Sequence, residues 1–242
     1  LKAGADVLKV MATGAIMNPG GVPGAAQLGV DEMRAVIEEG AKLGIPTAAH
    51  AHGAQGIKNA VEAGVATIEH GTMADDEAIE MMVKKNVSLV PTLLVDDLIC
   101  KAGERNEVPA FMVEKAERIK EKRHLVFKKA ISAGVKIAMG TDAGTPFNFH
   151  GKNSIELDLY VREKLMTPLK ALQTATRDAA EAIGLSDRLG TLEKNKIADC
   201  LVLGKNPLED IGCLLDLKNI RMVFKQGMLQ KGWSGNGHAA ND

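Results

Sequence analysis

One recurring unit organises this chain. A helix-like stretch ends in Gly or Asn, a short apolar run follows, and the run ends on a polar residue. The unit occurs as Ala3-Gly4-Ala5-Asp6-Val7-Leu8-Lys9, as Leu43-Gly44-Ile45-Pro46-Thr47-Ala48-Ala49-His50 and as Ala63-Gly64-Val65-Ala66-Thr67-Ile68-Glu69-His70. It recurs as Lys85-Asn86-Val87-Ser88-Leu89-Val90-Pro91-Thr92 and as Ala133-Gly134-Val135-Lys136-Ile137-Ala138-Met139-Gly140-Thr141-Asp142. Gly and Asn tolerate the left-handed conformation that closes a helix. Short continuous apolar runs suit strands buried on both faces. Residues 31–42, 54–62, 75–84 and 109–132 read as amphipathic helices between them, with Asp31 and Asp75 as N-caps. Strands alternating with helices make parallel βαβ units.

Five strands are counted in this way, whereas a closed (β/α)8 TIM-type barrel needs eight. The chain opens on Leu1 as if in mid-element, so the N-terminal strands are expected to be missing and the chain to be a fragment. The alternative is an open doubly wound sheet with a phosphate loop after a strand. Gly20-Gly21-Val22-Pro23-Gly24 lacks the spacing of such a loop. Residues 14–29 read either as a long loop over the barrel mouth or as a plain linker. Two further helices are expected at 153–164 and 167–183, with Pro168 near the start of the second. Short strands then follow at Gly190-Thr191-Leu192, 198–203, 220–224 and 227–229. The expected division is a barrel over 1–188, part of a small β-sandwich composite domain over 189–231 and a disordered tail over 232–242.

Composition narrows the function classes. With 30 basic and 31 acidic residues the net charge is -1, which gives no reason to expect nucleic acid or an anionic membrane as partner. No stretch approaches the roughly 18 apolar residues of a membrane span. Cys100, Cys200 and Cys213 are too scattered for a metal or redox motif and read as reduced thiols. With no signal-peptide pattern, the expected location is the cytoplasm. Oligomeric state is left open, a homo-oligomer included.

Catalytic groups of an α/β barrel sit at the C-terminal ends of its strands. Lys9, His50, His70 and Asp142 all fall at that point of the repeat. Each has an ordinary reading alone: a surface lysine, satisfied polar histidines, a turn aspartate. Together they form a set suited to a divalent metal.

The motifs Lys9-Val10-Met11-Ala12-Thr13-Gly14, His50-Ala51-His52-Gly53, Ile68-Glu69-His70-Gly71 and Gly140-Thr141-Asp142-Ala143 resemble the amidohydrolase superfamily. They look most like its imidazolonepropionase-related branch, which includes metal-dependent Xaa-Pro dipeptidases. Thr174-Ala175-Thr176 with Ala179-Ala180, and Gly190-Thr191-Leu192-Glu193 with Ile197-Ala198-Asp199 and Asn206-Pro207-Leu208, extend the resemblance over nearly the whole chain.

The resemblance implies a hydrolase for an amide or peptide-like C–N bond in a dipeptide, N-acyl amino acid or cyclic amide. It implies two divalent ions, zinc being the expected metal, bridged by an N-carboxylated Lys9. A buried lysine with a lowered pKa would react as the free amine with carbon dioxide. His50 and His70 would ligate one ion, and Asp142 would ligate the other. Hydroxide activated by the metals would attack the carbonyl, with Asp142 relaying the proton to the leaving nitrogen.

The superfamily's His-x-His pair of the first strand is absent, so the second metal site is expected to be incomplete in this chain. His50-Ala51-His52 occupies the place of the fifth strand, and His52 is assigned to the substrate or to a loop. His150 is a further candidate substrate contact. His124 is expected on a solvated helix face, and His238 lies in the tail. Two alternatives remain: a mononuclear deaminase, although Gly53 stands where its Glu would be, and an inactive barrel serving as a binding or scaffold subunit.

Overall fold

The structure is a computed structural model that describes residues 1–20 and 22–232, so residues 233–242 of the expected tail lie outside the described residues. Every Gly or Asn that punctuates the repeat is left-handed: Gly4 at φ 79°, Gly44 at 67°, Gly64 at 104°, Asn86 at 56° and Gly134 at 90°. Each reverses the chain from helix to strand without the steric cost another residue would meet.

Four of the runs become strands: β1 (Leu8–Met11), β2 (Thr47–Gly53), β3 (Thr67–Met73) and β4 (Ser88–Val90). They pair in sequence order, all parallel. The fifth run meets β4 through the single parallel bridge Leu89↔Ile137. That bridge is flanked by Leu89 N–H donating to the Lys136 carbonyl (2.8 Å) and Ala138 N–H donating to the Leu89 carbonyl (3.0 Å). The α/β class and parallel order are therefore as expected, and the named sheet comprises four strands.

Between the strands run α1 (Val30–Ala41), α2 (Ala54–Ala63) and α3 (Asp76–Lys84). Asp75 caps α3 as expected, its carboxylate accepting from Ala78 N–H at 2.8 Å. Asp31 does not cap α1. The helix begins earlier, at an N-cap Gly29 whose N–H donates to Glu32 at 2.7 Å, which leaves Asp31 in the first turn. A helix not foreseen, α4 (Leu93–Glu104), follows β4 and packs against α5 (Ala110–Ala133). Val95, Ile99, Met112, Ala116 and Ile119 of these two helices close a core with Ile16 from the 14–29 segment. His124 is only half-exposed, and its neighbour Arg123 is 1% exposed.

The chain divides into two units, Leu1–Glu156 and the residues from Leu157 onward. A sixth helix, α6 (Ser154–Arg162), spans that division. The second unit continues with α7 (Pro168–Thr174) and α8 (Arg177–Ala182). The single helix expected over 167–183 is broken at Thr176, whose backbone (φ -126°, ψ -93°) is not helical. An antiparallel sheet follows, of β5 (Cys200–Leu203), β6 (Ile220–Lys225) and β7 (Met228–Lys231). Gly190–Leu192, read as a strand, is irregular. Among the described residues no helix is long and apolar enough to cross a membrane.

The 14–29 segment folds back onto the first unit. Thr13 and Ala26 form an antiparallel bridge, and Gln27 N–H donates to the Ala12 carbonyl at 2.8 Å. Farther along, Gly24 lies directly on Gly53 at the end of β2; a Cβ on Gly53 would stand 2.1 Å from the Gly24 carbonyl oxygen. Backbone cannot yield as a side chain does, so Gly53→Ala should destabilise the protein by about 1–3 kcal/mol. Urea unfolding at equilibrium would show this as a lower midpoint at unchanged m-value.

Candidate metal centre

Parallel pairing aligns Met11, His50 and Glu69 across β1, β2 and β3. Side chains two residues apart on a strand share a face, so His50 and His52 point the same way. The same alternation would send His70, one residue after Glu69, to the opposite face. Its backbone prevents this: His70 is left-handed, at φ 74°. The turn brings the ring back beside the other two. Such a conformation at a non-glycine residue costs on the order of 1–3 kcal/mol. Thr92 (φ 50°) and Asp142 (φ 55°), each ending a unit of the repeat, are left-handed as well.

The three imidazoles form one cluster. Ring centroids lie 4.8 Å apart for His50–His52, 4.7 Å for His50–His70 and 4.8 Å for His52–His70. One ring nitrogen from each lies within 4.8 Å of the others, and all three residues are buried. His52 Nδ1 pairs with Thr72 Oγ1 at 2.8 Å, and His70 Nδ1 pairs with Thr92 Oγ1 at 2.6 Å. Those bonds leave Nε2 of each ring for a ligand, the arrangement by which outer groups orient metal-binding histidines. His50 Nε2 is buried with no hydrogen-bond partner among the described residues. A buried polar atom left alone costs about 1–3 kcal/mol, and a metal ion would satisfy it. The donor set therefore fits a divalent ion.

Burial also sets the protonation state. Desolvation, with Lys9's positive charge adding to it, lowers the His50 pKa to about 4 against a weaker opposing hydrogen bond to the Gly14 backbone. Desolvation and then His50 lower His52 to about 3. His70 is pushed well below the ordinary range, chiefly by burial and then by its two neighbours and Lys9. All three are neutral near pH 7, the form that ligates metal.

Lys9 and Asp142 line the same cavity as the three histidines, a space of about 190 Å³. Its other wall is largely apolar: Ala15, Ile16, Met17, Val95 and Ile99. Lys9 is exposed, on β1 at one edge of the described four-stranded sheet. Asp142 is half-buried, and its carbonyl accepts from Thr145 Oγ1 at 2.9 Å. His150 is exposed and lies outside the residues lining the cavity. Glu69 is a half-buried carboxyl whose pKa is raised by desolvation, against a hydrogen bond from Thr67 Oγ1 (2.6 Å). The sequence reading passed over Thr72 and Thr92, which are not metal ligands. For Thr92 a signal existed, because it ends the fourth unit of the repeat.

The profile described as Amidohydrolase family matches residues 1–229. Ochratoxinase of Aspergillus niger is 34% identical over 233 residues, covering 96% of this chain and 48% of that protein. Imidazolonepropionase of Nocardia farcinica is 31% identical over 202 residues, covering 82% of this chain and 46% of that protein. The crystal structure of a Xaa-Pro dipeptidase with methionine bound in its active site superimposes with TM-score 0.87 at 37% identity, over 96% of this chain and 56% of that one. The chain thus spans about half the length of the curated relatives it matches.

The depressed histidine pKa values have a pH signature. The unfolded chain takes up these protons near pH 6.5, while folded His50 resists until about pH 4 and His52 until about 3. The folded state binds fewer protons in that interval, so acidification favours unfolding. Stability of the chelator-treated protein should be full above about pH 6.5 and fall steadily toward pH 4. Thermal melts at half-unit steps would show it, and His52→Gln should flatten the slope.

Proposed function

Because the chain belongs to the amidohydrolase family, we propose that it carries the metal-holding part of a hydrolase for amide or peptide-like C–N bonds. The supporting observation is the meeting of three buried, neutral imidazoles with Lys9 and Asp142 around one cavity. The names of the relatives support the same class of bond. Dipeptides, N-acyl amino acids and cyclic amides are the proposed substrates. Residues 1–188 are proposed to belong to a (β/α)8 barrel and 189–231 to a composite β domain. Two divalent ions are proposed as cofactors.

His50 and His70 would hold one ion through imidazole nitrogen, zinc being suited to such donors. Lys9, once its free amine had combined with carbon dioxide and lost a proton, would offer carbamate oxygens as further metal donors, and Asp142 would add a carboxylate oxygen. A bound ion supplies Lewis-acid polarisation of the carbonyl and makes water acidic enough to ionise near neutral pH. Asp142 accepts the proton of the attacking water and delivers it to the leaving nitrogen, which breaks the C–N bond. The wall of Ala15, Ile16, Val95 and Ile99 excludes water and receives an apolar substrate group. His150, on the loop after Asp142, meets the part of the substrate that projects from the cavity. His52 faces the substrate. Its position in the cluster also favours a second reading as third donor to the ion held by His50 and His70.

The test is hydrolysis of dipeptides and N-acyl amino acids by zinc-loaded protein. Asp142→Asn should lower kcat by at least about 100-fold, and His70→Ala should abolish stoichiometric zinc retention. Failure of the metal-loaded protein to cleave any such amide would overturn the proposal. Zinc content of His52→Ala separates its two roles: retained zinc assigns it to substrate, lost zinc to the metal.

A further inference from the structure

The residue that starts α4 is in a conformation its side chain disfavours. Thr92 sits at φ 50°, ψ 46°, and its side chain makes no capping hydrogen bond. A β-branched residue at positive φ is a true outlier. A threonine at this position ordinarily accepts from the first free N–H groups of the helix. Here the hydroxyl is engaged by His70 Nδ1 instead.

A remote side chain does the capping. Glu156 accepts from Leu93 N–H at 2.7 Å and Leu94 N–H at 2.8 Å, one through each carboxylate oxygen. It lies 63 residues beyond Leu93 and is fully buried. The Leu93 carbonyl is held from another side by Arg123 Nη1 at 2.6 Å. Arg123 is itself fixed by Asp96 (3.0 Å) and Asp97 (2.8 Å). The residue after Thr92 is therefore pinned at both its N–H and its carbonyl. Burying a carboxylate is costly, and Glu156 is buried where it meets the first turn of α4.

We propose that Glu156 is a positioning residue for the metal centre: it anchors the first turn of α4, holds Thr92 left-handed, and so aims His70 Nε2 at the metal. This rests on the reading of His70 as a ligand.

Cobalt(II) affinity tests it, measured by chelator competition and the cobalt absorption band, on wild type, His70→Ala, Thr92→Val, Glu156→Gln and the Thr92→Val/Glu156→Gln double variant. Outer groups of this kind typically change metal affinity by about 10–100-fold. Thr92→Val should fall in that range and Thr92→Ser, which keeps the hydroxyl, should recover most of the loss. Glu156→Gln should weaken binding about 10-fold, and the double variant should bind no more weakly than Thr92→Val alone, because both act through one bond. If Glu156→Gln does not fold, Glu156→Asp, which retracts the carboxylate by one methylene, takes its place in the cycle. Folded Glu156 variants with wild-type affinity, or losses that simply add to that of Thr92→Val, would overturn the proposal. Unchanged affinity in His70→Ala would overturn the ligand reading beneath it.

Discussion

The candidate metal centre depends on the parallel pairing of β2 with β3. Hydrogen bonding fixes His50 opposite Glu69 and Ala51 opposite His70, so a slip of one residue would reverse which side chains face the cavity. The pairing alone delivers only His50 and His52 to that face. The third ring arrives through a local departure from strand geometry at His70. The sheet supplies the frame, and the irregular stretch at His70 and Gly71, where the register with β2 shifts, converts a pair of imidazoles into a cluster.

That departure is part of a pattern. His70, Thr92 and Asp142 each end a unit of the repeat, and each is left-handed without being glycine. Strain of this kind persists only where surroundings over-determine it. At His70 the surroundings are Thr92 and the two neighbouring rings; at Thr92 they are the anchored turn of α4. The orphaned His50 nitrogen belongs to the same logic: it is unfavourable for folding alone and would be satisfied by a bound cation.

Much of this was legible in the sequence because it is local. The Gly and Asn positions announced the helix-to-strand reversals, and Asp75 announced a cap. His50, His70, Lys9 and Asp142 were brought together by their shared place in the repeat, and all four line one cavity. What escaped was non-local. The helix α4 carries Asp96 and Asp97 in its interior, which spoils an amphipathic pattern; they are paired with Arg123, 27 and 26 residues away. Glu156 gave no sign that it would serve Leu93 and Leu94.

The desolvation of the three histidines has a consequence for how a metal would enter. The rings are already neutral near pH 7, so no imidazole must release a proton to accept the ion. Calorimetric heats of metal uptake measured in buffers of different ionisation enthalpy would then count only protons surrendered by groups other than these three rings.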